Sequence, residues 1–205
     1  MTESMNKRQA LRTLAWAGVA AVAGFQLAGC TEAKPSFNAV DITGADYARD
    51  FSLTDADGKV RTLADFKGKA VVLFFGYAQC PDVCPTTMSE MAQVKQQLGA
   101  DGDKLQVVFV TVDPARDTPE VMKAYMGAFD PSFVALIPTP DQLTQVAKDF
   151  KVYFKKVDGK TPTSYSMDHS AASFVYDPQG RLRLYARYGA GVAPMVSDLK
   201  ALLKS

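Results

Sequence analysis

Residues 70–87 read AVVLFFGYAQCPDVCPTT. The apolar run from Ala70 to Tyr77 has no polar alternation, as expected of a strand covered on both faces of a sheet. Cys80 and Cys84 follow at once, three residues apart and each followed by proline. Beyond them Met88, Met91, Val94 and Leu98 recur at helical spacing. The segment is therefore a strand, a cysteine-bearing loop and a helix. It places the cysteine pair at the carboxyl end of a buried strand, where open α/β sheets present their sites.

The same alternation extends outward from this unit. Residues 105–112 (LQVVFVTV) predict a second buried strand. Thr118-Pro119 and Thr139-Pro140 each set a capping residue before a first-turn proline, so each predicts a helix start. The first of these helices turns Val121, Met122, Tyr125, Met126 and Phe129 inward, and the second Leu143, Val146, Ala147 and Phe150. KVYFKKV (151–157) and SFVYD (173–177) read as strands; the latter turns through Asp177-Pro178-Gln179-Gly180 into RLRLYA, and Pro194 opens a last helix. Upstream, FSLTDADGKVRTL (51–63) has two short runs around Asp57-Gly58, a hairpin signal. Strands alternating with helices, then a hairpin and a helix, predict one α/β domain with a mixed central sheet flanked by helices.

The cysteine pair admits three readings: a disulfide staple, a redox pair or part of a metal site. A bridge closing a loop of about five residues would contribute only ~2 kcal/mol, against nearly 5 for a loop of about 100, so the staple is a poor explanation. Cys84 before Pro85 predicts a sulfur at a helix N-terminus, where the dipole and free N–H groups favour thiolate, the form that attacks disulfides and binds metals. His169, the chain's single histidine, lies in SYSMDHSAASFVYDPQG just before a strand. Two thiolates and one imidazole make a three-donor set. Structural zinc asks for a fourth ligand, and catalytic zinc could use three plus water. Thiolates select Cu(I) and imidazole helps hold Cu(II), so copper held in both oxidation states fits best. In an extended segment Met167 faces the same side as His169, either as a core residue or as a further donor.

The first residues have another purpose. Lys7, Arg8 and Arg12 precede an uncharged stretch from Thr13 to Thr31 rich in Ala and Gly. That is the pattern of an export signal. Leu27-Ala28-Gly29-Cys30 resembles the bacterial lipobox, which implies a signal peptide over 1–29 and lipidation of Cys30; an uncleaved membrane anchor is the other reading. Residues 30–46 then read as lipidated cysteine and tether, with ~25 Å of root-mean-square reach up to Phe51, and 47–205 as the folded domain. Without Glu3, Lys7, Arg8 and Arg12, 20 basic and 21 acidic residues remain. That balance offers nucleic acid no basic patch.

GYAQCPDVCPTT, TVDPARDTPEVMKAY and DHSAASFVYDPQG, in this order and with the opening hairpin, resemble the Sco/SenC family of membrane-tethered copper proteins. The resemblance spans roughly residues 48 to 204. It implies a thioredoxin-like fold with an added N-terminal β-hairpin, and copper ligation by Cys80, Cys84 and His169. It further implies a metallochaperone binding Cu(I) and Cu(II) and supplying the CuA-bearing subunit of cytochrome c oxidase, with other copper chaperones as further partners. Asp113 would affect copper loading or docking, or else cap the turn before Pro114; Asp82 reads as a solvent-facing loop residue. The enzymatic alternative is a thiol–disulfide oxidoreductase, with Cys80 and Cys84 as the redox pair, that reduces the apo CuA cysteines or acts in redox signalling. A redox or copper sensor is a third reading. Simple thioredoxins carry C-x-x-C and a nearby cis-proline, whereas here the loop is one residue longer and His169 stands in the proline's region. The expected setting is the periplasm or outer side of the cytoplasmic membrane, with a monomer as default.

Overall fold

The computed structural model describes residues 36–161 and 164–204. The predicted leader and Cys30 lie outside them. Among the described residues no helix is long and apolar enough to cross a membrane.

The quoted apolar run forms β4 (Ala70–Gly76), buried at every position. It has neighbours on both sides. Parallel β5 (Leu105–Thr111) pairs in register from Ala70↔Leu105 to Gly76↔Thr111, and antiparallel β9 (Ser173–Tyr176) pairs Val71 with Tyr176 and Phe74 with Ser173. With β1 (Val40–Asp41), β6 (Val134–Leu136) and β10 (Leu182–Ala186) the sheet runs β1-β10-β9-β4-β5-β6. The central strands have no wet face, which is why they read as continuous apolar runs. β2 (Ser52–Thr54) and β3 (Val60–Thr62) make the predicted hairpin, whose turn is closed by Asp55 accepting the N–H groups of Asp57 and Lys59. A separate hairpin joins β7 (Phe154–Val157) to β8 (Ser166–His169).

Among the described residues the α-helices are α1 (Val83–Leu98), α2 (Pro119–Gly127), α3 (Pro140–Asp149) and α4 (Val192–Leu202). Thr118 and Thr139 cap α2 and α3 as expected, each hydroxyl accepting the third helical N–H. Side chains alternate across β4, so the two large phenylalanines face opposite layers. Phe74 meets Phe109, which in turn meets Tyr125 of α2; Phe75 meets Phe150 beside α3. α4 packs on α1. Met122 and Met126 of α2 are buried, while Val121, expected inside, is 41% exposed. The last helix starts at Val192, two residues ahead of Pro194.

Residues 38–46, read from sequence as tether, are docked on the domain. β1 pairs with β10, and buried Asp198 accepts the N–H groups of Asn38 and Ala39 together with the Asn38 side-chain amide. The correction has a clear cause: the signal is two strand residues plus contacts about 160 positions away, which local periodicity cannot register.

Candidate metal centre

Three segments meet at the carboxyl end of β4. The chain leaves Gly76 through Tyr77 and Ala78, and Ala78 N–H is held by the buried carboxylate of Asp117 at 3.1 Å. Cys80 N–H then donates to the Tyr77 carbonyl, tightening the loop before α1. His169 arrives from the other side as the last residue of β8. The ligand atoms of Cys80, Cys84 and His169 all lie within 4.8 Å of one another. Both cysteines are free thiols; Cys84 is buried and Cys80 half-buried. No fourth His, Cys, Asp or Glu joins the group among the described residues.

The imidazole is aimed. His169 Nδ1 lies 2.9 Å from the Ser170 carbonyl, so Nδ1–H donates there and the lone pair stays on Nε2. Nε2 faces Cys84 Sγ at 3.4 Å. The rings of Phe74 and Tyr77 stand edge-on to it at 6.0 and 5.9 Å. Two soft sulfurs and one nitrogen lone pair converging this closely suit a thiophilic metal, with room left for an exchanging ligand.

The electrostatics differ from the sequence expectation. α1 begins at Val83, with Asp82 at the capping position and exposed, so Pro85 is its third residue rather than its first. Cys84 does sit in the first turn, yet the free N–H groups serve Cys80. Hydrogen bonding from Cys84 holds the Cys80 thiol well below its ordinary value against the opposing effect of burial, and the Asp82 and Cys84 N–H groups add to this. Cys84 is pushed far up, because it retains the shared proton and is buried. The two shifts run in opposite directions, and the lowered one falls on the half-buried sulfur.

Asp113 stands outside the donor cluster and closes the turn around Pro114, its carbonyl accepting the N–H groups of Arg116 and Asp117. Its buried carboxylate pairs with Arg116 Nε and accepts the Tyr165 hydroxyl at 2.9 Å. Met167 is half-buried on the same face of β8 as His169, packed against the core, and its backbone N–H faces the Tyr77 hydroxyl. Gly76, Arg116, Asp117 and Tyr165 shape the site and were not singled out from sequence. For Gly76 a signal existed: a glycine ending an apolar strand marks a close approach. A Cβ there would lie 2.8 Å from Cys84 Sγ.

Fold and site together define a thioredoxin-like protein whose cysteine loop is joined by a histidine from a separate hairpin. The chain belongs to the SCO1/SenC family, whose profile matches residues 40–204. Among its relatives, the mitochondrial SCO2 homologue of Bos taurus is 39% identical over 133 residues, 64% of this chain and 50% of that protein. The mitochondrial SCO2 of Saccharomyces cerevisiae is 41% identical over 133 residues, covering 64% and 44%. The chain thus spans about half the length of these curated relatives. Copper-bound ScoI from Bradyrhizobium japonicum is 40% identical with a TM-score of 0.68, covering 75% of this chain and 97% of that one. Apo Sco1 from Thermus thermophilus is 36% identical with a TM-score of 0.73, covering 83% and 99%.

Proposed function

We propose that this chain carries copper as cargo on Cys80, Cys84 and His169 and delivers it to the CuA-bearing subunit of cytochrome c oxidase. The observation that carries the reading is the convergence of three donor atoms within 4.8 Å, with the Nε2 lone pair turned toward the sulfurs. Two thiolates suffice for Cu(I), and the imidazole adds the donor that Cu(II) prefers. A three-donor site leaves space for an acceptor's ligand, so transfer proceeds by exchange of one donor at a time. Tethering through lipidated Cys30, facing the periplasm or the outer side of the cytoplasmic membrane, fits the leader pattern. A Bacillus anthracis structure described as a SCO1/SenC family lipoprotein, 26% identical with a TM-score of 0.63, supports that setting.

The test is the visible spectrum of the reduced domain with one equivalent of Cu(II), beside His169→Ala. The expected result is an intense thiolate-to-copper band at one copper per chain, lost in the variant, with Cu(I) binding largely kept. Equal retention of both ions by the variant would remove His169 from the ligand set.

A second reading has its own observation. A Cys80 thiolate beside a protonated Cys84 is the arrangement of an attacking and a resolving sulfur. Thiol–disulfide exchange with the apo CuA cysteines would survive His169→Ala, whereas Cu(II) binding would not. Oxidation of the pair without any copper band would favour this activity.

A further inference from the structure

Beyond its two chain connections, the hairpin that carries His169 is held to the molecule by side-chain contacts. β7 and β8 pair with each other, and no strand of the six-stranded sheet joins them among the described residues. A lone two-stranded hairpin is marginal in water, so what fixes it to the cysteine loop decides whether the imidazole meets the sulfurs.

Arg116 stands at that junction. Its Nη1 donates to the backbone carbonyl of Tyr165 at 2.8 Å and to the side chain of Gln79 at 3.0 Å. Tyr165 immediately precedes β8, and Gln79 immediately precedes Cys80. The guanidinium carbon lies 3.5 Å from the Tyr165 ring centroid and 5.7 Å from that of Tyr77, the ring that stands edge-on to His169. Asp113 anchors the cation from below through Nε and accepts the Tyr165 hydroxyl with its other oxygen. Nη2 is buried without a hydrogen-bond partner. Arginine has no lone pair for a metal, so its influence on the site is indirect.

We propose that Arg116 is a positioning residue that locks the β7–β8 hairpin onto the cysteine loop and thereby sets whether His169 joins the two sulfurs. The inference rests on the copper reading above. Cu(II), which leans on the imidazole, depends on the lock; Cu(I), held by two thiolates, does so far less.

Two variants test this. Arg116→Lys keeps a cation opposite Asp113 but cannot stack flat and reach both the Tyr165 carbonyl and Gln79. Tyr165→Leu removes the stacking platform and leaves the Arg116–Asp113 pair in place, so it decides the question should Arg116→Lys fail to fold. His169 is the sole histidine, so its ring protons are identified without labelling in the NMR spectrum of the reduced, metal-free protein. Their shifts carry the ring currents of Phe74 and Tyr77. The expected result is movement of these resonances toward unstructured values and an at least tenfold loss of Cu(II) affinity by competition titration, with Cu(I) affinity within threefold and the melting temperature kept. Wild-type His169 shifts and Cu(II) affinity within threefold in the folded variants would overturn the proposal. So would parallel loss of both ions with lowered melting, which would make the residue purely structural. Absence of Cu(II) binding by the wild type would defeat the copper reading, and the metal-free His169 shifts would still decide the positioning.

Discussion

A methyl group at Gly76 would lie 2.8 Å from Cys84 Sγ, 2.8 Å from Phe109 and 2.9 Å from Phe74, all within the core. Neither ring has room to retreat, so Gly76→Ala should push the Cys84 sulfur out of line. A melting curve should show a loss of ~1–3 kcal/mol, the usual effect of overpacking, and Cu(I) competition should show weaker binding, unlike at a surface glycine such as Gly127. The cysteines themselves make a pH prediction. A free thiol loses about tenfold of its thiolate per pH unit below ~8.5. Cys80, held low by the Cys84 S–H, keeps its thiolate as pH falls until its own depressed value is reached. Alkylation of the reduced protein, followed by mass spectrometry, should therefore run at a nearly level rate on Cys80 between pH 8 and 6 and leave Cys84 unmodified. A tenfold fall per unit would contradict the shared-proton arrangement. The donors were legible as residue types, but which sulfur keeps the proton was not. That depends on which of them is fully buried, and sequence spacing says nothing of it.

The elements differ in how firmly they are held. β4 and β5 are flanked and buried throughout, whereas three residues of β7 are exposed and, among the described residues, β7 pairs only with β8. Hydrogen exchange tracks such local openings. In the metal-free protein the amides paired between β7 and β8 should exchange at least a hundredfold faster than those between β4 and β5. Copper should slow the former selectively, because the ion ties His169 to the cysteine loop. Uniform protection across both pairs would show the hairpin to be part of the main cooperative unit. Legibility follows the same division. β4, β5 and the Thr-Pro helix starts were readable because burial on two faces and capping are local signals. β1, β6 and β8 were not, since two to four residues carry no period. His169 was expected at a loop–strand junction; it closes one short strand and precedes another.

At the scale of the molecule, the N-terminal segment belongs to the domain. A chain starting at Tyr47 would leave the buried Asp198 carboxylate without the three N–H donors of Asn38 and Ala39. Hydrogen bonds to a charged group contribute ~1.5–3 kcal/mol each, and a domain of this size shifts by ~2–4 °C per kcal/mol. Its melting temperature should fall by about 10 °C relative to a chain starting at Ser36; equal melting would show the docking to be incidental. The same segment shapes how the protein meets others. Residues 40–42 cover one rim of the sheet along β10, and residues 54–56 cover the other along β6, through Ile137 N–H to Thr54 and Ala56 N–H to Ala135. Among the described residues the sheet therefore ends in a two-residue strand on one rim and an isolated bridge on the other, which leaves little strand for a second molecule to extend. The two sulfurs and the imidazole come together away from that kind of contact, at the carboxyl end of a strand with a neighbour on each side.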